Sequence, residues 1–189
     1  MTHGQIKDRC DKLAEQIFDD YKGKTVSIFV VLIGAFQFFS DLNESLNKVR
    51  AIRKPTCDEE DVIVQYNFHK VSSYKNTESL GKDNVQVFIG EQDVKGKNIL
   101  VVEDIYDTGN SMMAILRRLE EYGANSVKVC VLLHKKNPAN VEYNWYADYI
   151  GFYIPCKFVI GYGMDLNEYL RDMKHLCIIS KEGINKYKV

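Results

Sequence analysis

Two hydrophobic periods alternate along the chain. Apolar side chains recur at helical spacing over residues 5–21, 35–49 and 111–122, which predicts three amphipathic helices. Continuous apolar runs rich in β-branched residues, such as 26–33 and 127–133, are typical of strands covered on both faces. Further strands are predicted at residues 61–71, 85–89, 99–102, 149–154, 158–160 and 176–180.

Strands that alternate with helices predict an α/β fold with a mostly parallel central sheet flanked by helices and right-handed crossovers. The chain has 189 residues, and a domain typically has about 100–200. We therefore expect one domain over residues 1–189, with a core at about 5–150. The short strands beyond residue 149 predict a small C-terminal hood formed mainly by about 150–189.

The composition excludes several classes of protein. Lys and Arg number 25 and Asp and Glu 26, so a net charge of −1 lacks the basic surface of a dedicated nucleic-acid binder. The longest apolar run, residues 26–36, is shorter than the ~20 residues that span a bilayer. Five scattered cysteines without a Cys-x-x-Cys pair predict reduced thiols in a cytoplasmic protein, and the four histidines lack zinc-ligand spacing.

The segment VVEDIYDTGNSM, residues 101–112, combines an apolar strand, three carboxylates and a helix start. Ligands of open α/β sheets bind at the carboxyl ends of strands, and a helix N-terminus offers unpaired N–H groups to a phosphate. Thr108 and Ser111 add hydroxyl donors, and Gly109 permits close approach of the backbone. The carboxylates suit sugar hydroxyls, Mg²⁺ or a transferred proton. The segment therefore predicts a ligand with a phosphate and a hydroxyl-rich sugar.

A simpler interpretation exists for this segment. A bare Asp-Thr-Gly at Asp107 is also typical of a helix cap, and Glu103 and Asp104 could be solvated turn acids. The combination of apolar strand, acidic pair and DTGxS favours the ligand site.

The segment resembles the phosphoribosyl-diphosphate signature of type I phosphoribosyltransferases. The chain is more closely similar to the hypoxanthine-guanine phosphoribosyltransferases of purine salvage, from HGQIKDR at His3 to the final KYKV. The similarity includes VVLIGAFQFFSDL, VSSY, LLHKKNP and GFYIPCKFVIGYGMDLNEYLRD, in the family's order and approximate spacing. The resemblance implies the type I phosphoribosyltransferase fold with Mg²⁺-dependent transfer of phosphoribose to hypoxanthine or guanine, and a homodimer or homotetramer.

The resemblance also implies residue roles. Asp107 would be the general acid/base facing N7 of the purine, and Glu103 and Asp104 would hold ribose hydroxyls directly or through Mg²⁺. Asp165 would position a second Mg²⁺, and Lys135 would donate to the 6-oxo group. The phosphoribosyl and 5′-phosphate segment would comprise Glu103, Asp104, Ile105, Tyr106, Asp107, Thr108, Gly109, Asn110 and Ser111. The other base-binding residues would be Lys157, Phe158, which stacks on the purine, and Val159. The pyrophosphate site and its closing loop would comprise Ile33, Gly34, Ser73, Tyr74 and Arg171.

Taken singly, several of these residues have structural interpretations. Phe158 within KFVI is also typical of a core residue, and Lys135 beside Lys136 of a solvated pair. Asp165 could cap a helix over LNEYLRD, and Ser73-Tyr74 could be an ordinary dipeptide in a loop over residues 72–84. That loop is long enough to be a lid or binding loop.

Two departures separate this chain from the family pattern. The family has Leu-Lys-Gly in its pyrophosphate loop, whereas this chain has Leu32-Ile33-Gly34, and isoleucine offers only its backbone. Many relatives also have an N-terminal segment that contributes to the hood, which we expect here to come mainly from the C-terminal third.

These features leave three functional hypotheses. The first is a hypoxanthine-guanine phosphoribosyltransferase, favoured by Asp107, Lys135 and Phe158. The second is a weakly active or inactive nucleotide-binding paralogue or regulator, favoured by Ile33. The third is a related phosphoribosyltransferase with a different base. The partners expected are small molecules, a 6-oxopurine and phosphoribosyl diphosphate, without nucleic acid or membrane.

Overall fold

A computed structural model describes residues 1–57, 60–72, 74–75, 78–79, 86–137 and 145–187, with the main chain alone at 72, 74–75 and 78–79. The helices are α1 (His3–Asp20), α2 (Phe36–Arg53), α3 (Glu91–Val94), α4 (Asn110–Glu121) and α5 (Lys181–Lys186). The three long helices confirm the periodic segments of the sequence. The short helices α3 and α5 were not predicted, because one or two turns of helix are too short to show a period.

The main sheet has six strands in the order β5-β2-β1-β6-β7-β8. Its strands are β1 (Lys24–Leu32), β2 (Val62–Ser72), β5 (Gln86–Val87), β6 (Asn98–Tyr106), β7 (Ser126–Lys136) and β8 (Tyr149–Pro155). Every neighbouring pair is parallel except β2 with β5, which confirms the mostly parallel α/β sheet. Two short pairs lie outside it: β3 (Tyr74–Lys75) with β4 (Glu78–Ser79), and β9 (Val159–Ile160) with β10 (Cys177–Ile178).

Helices cover both faces of this sheet, which explains the continuous apolar runs. Along β1, Ile28 and Val30 pack with buried side chains of α1 and α2. Phe29 and Val31 point the other way and pack with Met112 and other residues of α4. Successive strand residues alternate between faces, so a strand covered on both sides needs apolar residues at every position.

The edge strand β8 changes the expected extent of the hood. The strand over 149–154 was assigned to the start of the hood, but β8 pairs in parallel with β7 as part of the main sheet. The separate β9–β10 pair lies entirely beyond Pro155. Periodicity detects a strand but does not identify its neighbour, which hydrogen bonding to β7 determines.

All five cysteines are free thiols, and Cys10 and Cys130 are buried in the core. Burial raises the pKa of Cys10 to about 12, so this thiol is inert at neutral pH. Across the described residues, no helix combines the length and apolarity that a membrane span requires.

Candidate active site

The carboxyl ends of three neighbouring strands place the candidate residues at one edge of the sheet. The strand β1 leads into Ile33 and Gly34, β6 contains Glu103 and Asp104 and leads into Asp107, and β7 contains Lys135. Since β1, β6 and β7 are adjacent and parallel, their ends lie side by side. This is the edge at which open α/β sheets bind ligands.

Asp107 is held by two donors from the end of β7. The ammonium Nζ of Lys135 lies 2.7 Å from Asp107 Oδ2, and the amide Nδ2 of Asn137 donates to Oδ1 at 2.7 Å. Lys135 is 7% exposed, whereas its neighbour Lys136 is exposed. The solvated-pair interpretation of Lys135 is therefore wrong, because its ammonium group is buried and paired with a carboxylate.

Asn137, which contacts Asp107 beside Lys135, was not predicted from the sequence. Its only sequence signal is its position two residues after Lys135, directly after the end of β7. Side chains two positions apart in an extended segment point to the same side, so this spacing could have identified it.

The carboxylates of Glu103 and Asp104 are buried away from water at the end of β6. Burial, and secondly the adjacent charge of Asp104, raise the pKa of Glu103 well above its usual range. Burial also raises the pKa of Asp104, although hydrogen bonds and the charge of Arg171 oppose the shift. The Oε2 atom of Glu103 is buried without a hydrogen-bond partner among the described residues. The solvated-turn interpretation of these two acids is wrong.

Glycines bring a second loop against the end of β1. A Cβ at Gly34 would overlap the carboxylate of Asp104, and a Cβ at Gly163 would overlap the carbonyl oxygen of Gly34. Arg171 donates to the Gly163 carbonyl at 2.7 Å and pairs with Asp165 at 2.8 Å. The structure thus brings together the loop after β1, the acidic end of β6 and the segment with Asp165 and Arg171.

Asp165 does not cap a helix, because residues 166–172 form turns and an isolated bridge. Its Oδ2 accepts from the Glu168 N–H at 2.6 Å, so the side chain caps a turn instead, while Oδ1 faces Arg171. The alternative interpretation of Asp165 as the cap of a helix over LNEYLRD is therefore wrong. Left-handed backbone at Asn167, Glu168 and Leu170 interrupts any helix there.

The helix α4 begins at the loop after β6 without a side-chain cap. Gly109 is its N-cap residue with a φ of 88°, and glycine has no side chain that could cap the helix. The first turn of α4 begins three residues after Asp107, at the same edge of the sheet. A helix N-terminus is a favourable place for an anion, and the phosphate site at α4 stays a prediction.

Ile33 and Phe158, one of the predicted base-binding residues, are exposed at the surface. Ile33 is 57% exposed and follows a cis peptide bond with Leu32. Phe158 is 48% exposed, so its interpretation as a core residue is wrong. Lys157 and Val159 line an apolar cavity of about 430 Å³, together with residues of β7, β8 and β10. Ser73 lies outside the described residues, and only the main chain of Tyr74, in β3, is described.

The acidic pair fits a magnesium ion. No group of three or more His, Cys, Asp or Glu side chains is arranged as a metal site in the part of the chain that the structure describes. Glu103 and Asp104 nevertheless supply hard oxygen donors, one of them the orphaned Oε2. Mg²⁺ is commonly held by one or two carboxylates and completes its shell with water and substrate oxygens.

A mostly parallel sheet with an acidic strand end, a following helix N-terminus and a lysine–aspartate pair is the arrangement expected of an α/β protein that binds an anionic, hydroxyl-bearing ligand. Comparison with known proteins narrows this class. The family model "Phosphoribosyl transferase domain" matches residues 2–166. The chain belongs to the phosphoribosyltransferase family.

The relatives are similar over the whole chain. Human hypoxanthine-guanine phosphoribosyltransferase is 39% identical over 100% of this chain and 83% of that protein. Phosphoribosyltransferase domain-containing protein 1 of Xenopus laevis is 39% identical over 100% of this chain and 81% of its own length. A Staphylococcus aureus hypoxanthine phosphoribosyltransferase structure superposes with a TM-score of 0.78 at 31% identity, covering 96% of this chain and 90% of that one. The Schistosoma mansoni hypoxanthine-guanine enzyme, solved with IMP, gives 0.78 at 30% identity, covering 99% and 83%.

Proposed function

We propose that this protein transfers phosphoribose from 5-phosphoribosyl 1-diphosphate to hypoxanthine or guanine, giving IMP or GMP and pyrophosphate. The observation that carries the proposal is the contact between Lys135 and Asp107 at 2.7 Å, which pairs a candidate base-reading group with a candidate acid/base. The names of the similar human, S. aureus and S. mansoni enzymes support the choice of base.

Lys135 distinguishes 6-oxopurines from adenine by hydrogen-bond chemistry. An ammonium only donates, so it satisfies a carbonyl oxygen at position 6 but opposes the amino group of adenine. When a 6-oxopurine binds, the ammonium group of Lys135 directs one of its N–H donors from Asp107 Oδ2 to the purine oxygen. That exchange opens Oδ2 to the proton at N7 of the base.

Asp107 then moves this proton. As N9 of the purine forms its bond to the anomeric carbon, the bond to pyrophosphate breaks and pyrophosphate leaves with the electron pair. The purine would gain a positive charge in this step, and transfer of the N7 proton to Asp107 removes it. Asn137 remains on Oδ1 and keeps the carboxylate oriented.

The rest of the site binds the ligand. The backbone from Tyr106 to Ser111 surrounds the 5′-phosphate at the start of α4, and Phe158 stacks on the base, which contributes ~1–3 kcal/mol. Lys157 and the main chain of Val159 meet the edge of the base. The loop of Ile33 and Gly34, with Arg171, receives the pyrophosphate. Ser73 and Tyr74 belong to the loop that closes over the site.

Carboxylates of the site would hold magnesium. Glu103 and Asp104 would hold the ribose hydroxyls directly or through Mg²⁺, and Asp165 would position a second ion. When bound, Mg²⁺ supplies positive charge that offsets the charge of the departing pyrophosphate. The orphaned Glu103 Oε2 supports this assignment, because a buried carboxylate oxygen otherwise lacks compensation.

The architecture and partners are part of the proposal. We treat residues 1–189 as one domain of a cytoplasmic enzyme, in keeping with five free thiols. Self-association as a homodimer or homotetramer is supported by an exposed aromatic surface of α2 and β2, where Tyr66 and Phe68 lie 5.2 Å and 5.5 Å from the ring of Phe39. Sedimentation velocity should show an oligomer that Phe68→Ser dissociates and that Tyr153→Ser, a change at a somewhat more exposed aromatic on β8, leaves intact.

An inactive nucleotide-binding protein is the second candidate, favoured by the exposed Ile33. The test is an assay of hypoxanthine, guanine, xanthine and adenine with phosphoribosyl diphosphate and Mg²⁺. Turnover of hypoxanthine or guanine with one pyrophosphate released per nucleotide supports the proposal. Turnover only of adenine or another base indicates a different phosphoribosyltransferase. Binding of GMP without turnover of any base supports the second candidate.

A further inference from the structure

A buried polar cluster lies behind the candidate pyrophosphate loop and contains residues to which the proposed function assigns no role. Asp41, on α2, is 6% exposed and accepts two hydrogen bonds at the same oxygen. The hydroxyl of Tyr162 donates to Asp41 Oδ2 at 2.5 Å, and His3 Nε2 lies 2.9 Å from that atom. Tyr162 itself is 1% exposed, so both members of the hydrogen bond are removed from water.

The two residues belong to the two segments that meet at the site. Asp41 lies in α2, the helix that starts directly after Gly34. Tyr162 directly precedes Gly163, whose Cα lies against the Gly34 carbonyl and whose own carbonyl accepts from Arg171 at 2.7 Å. The Tyr162–Asp41 bond therefore joins the same two segments as the Gly163–Gly34 contact, at a second point.

Backbone geometry shows that this turn needs such an anchor. Gly161, Tyr162 and Gly163 have φ values of 87°, 54° and 95°, three successive residues in the left-handed region. Tyrosine is disfavoured there, and a residue held in a sparsely populated conformation persists only when its surroundings determine it. The ring of Tyr162 is buried in the core, and its hydroxyl is fixed by Asp41.

We infer that Tyr162 and Asp41 are positioning residues that hold the turn bearing Gly163, and with it Arg171 and Asp165, at a fixed distance from the Gly34 loop. The inference rests on the proposed function, in which these two segments bind the diphosphate half of phosphoribosyl diphosphate. Neither residue touches the ligand. Their effect falls on the diphosphate half, because Lys135 and Asp107 lie at the ends of other strands. The base-binding residues Phe158 and Val159 precede the turn, and Val159 is held by the pairing of β9 with β10.

The test compares Tyr162→Phe with a matched variant, Tyr149→Phe. Tyr149 is also buried, and its hydroxyl donates to Asp20 at 2.6 Å, but it lies at the first residue of β8, at the opposite end of the strands from the site. Each variant loses one hydroxyl–carboxylate hydrogen bond of a buried tyrosine and retains the ring. Melting temperatures then report the structural cost of each loss, and ligand binding reports the positioning role.

We expect Tyr162→Phe to weaken binding of pyrophosphate and of phosphoribosyl diphosphate, each measured with Mg²⁺ by titration calorimetry, by roughly tenfold, the scale of one charge-assisted hydrogen bond. Its affinity for GMP, which has no diphosphate, should stay within twofold. Its KM for phosphoribosyl diphosphate should rise while the KM for hypoxanthine does not. Asp41→Asn, which retains an acceptor for the tyrosine hydroxyl, should give an intermediate effect. Tyr149→Phe should bind all three ligands as the wild type does.

Equal weakening of GMP and pyrophosphate in Tyr162→Phe would contradict the inference, and so would wild-type affinity for both. An equal change in ligand affinity in Tyr149→Phe and Tyr162→Phe would show an effect of stability alone, and this result would also contradict the inference. The calorimetric comparison does not depend on turnover. An inactive wild-type protein would therefore refute the proposed function, while the ratio of pyrophosphate to GMP affinity would still decide this inference.

Discussion

Asp107 has contacts that suit a residue whose proton must move. Both of its oxygens accept a hydrogen bond, from Lys135 and from Asn137, and its side chain is partly exposed at the strand end. An asparagine fits the same space but accepts no proton. We expect Asp107→Asn to lower kcat by about 10²-fold or more, the usual scale for a positioned acid/base, with phosphoribosyl diphosphate binding nearly intact. Steady-state kinetics and calorimetry on the variant check this, and unchanged turnover would remove Asp107 from the mechanism.

Ile33 is the residue at which this chain departs from its family. An isoleucine directed into the core would make lysine destabilising there, but Ile33 is 57% exposed. Ile33→Lys should therefore leave the melting temperature unchanged. It adds a cation beside the proposed pyrophosphate loop and should lower the KM for phosphoribosyl diphosphate, more strongly at low salt, with little change for guanine. Ile52→Lys, at a more exposed position at the far end of α2, serves as control. Wild-type KM values in a stable Ile33→Lys protein would contradict the hypothesis that this position governs pyrophosphate binding.

The loop between β1 and α2 depends on the absence of a side chain at Gly34. A methyl group there would overlap the Asp104 carboxylate, so either the loop or the acidic strand end must move. We expect Gly34→Ala to raise the KM for phosphoribosyl diphosphate at least tenfold, because both displaced groups belong to the proposed diphosphate and ribose sites. Gly4→Ala, in α1, is the matched control, since its nearest neighbour would lie 4.0 Å away. Equal KM values in the two variants would show that the close approach at Gly34 has no functional consequence.

The long elements could be predicted from sequence because each has a strong period. The helices α1, α2 and α4 bury one apolar stripe each, and β1 is apolar at every position from Ile28 to Leu32 because both of its faces are covered. The segment 166–172 shows where this reasoning fails. Its apolar spacing is compatible with a helix, yet a turn capped by Asp165 and paired with Arg171 forms instead. Tertiary contacts override local spacing in a segment that short.

At the scale of the molecule, the site assembles from parts that are distant in sequence. The order of the parallel strands brings the ends of β1, β6 and β7 together, which general rules for α/β sheets predict from the sequence. The contact of Tyr162 with Asp41, 121 positions away, could not be predicted, since no local pattern specifies it. The same is true of the close packing of Gly163 on Gly34, which depends on how the final third of the chain folds back over the sheet edge.

In the proposed function, the site at the sheet edge recognises a 6-oxopurine through Lys135 and transfers phosphoribose to it. The most direct test is kcat/KM for hypoxanthine at saturating phosphoribosyl diphosphate in Lys135→Ala and Lys136→Ala. The two lysines are adjacent on β7, but Lys135 is buried against Asp107 and Lys136 is exposed. We expect kcat/KM to fall roughly 10- to 100-fold in Lys135→Ala, the scale of one charge-assisted hydrogen bond, and to change less than threefold in Lys136→Ala. Equal values for the two variants would contradict this expectation.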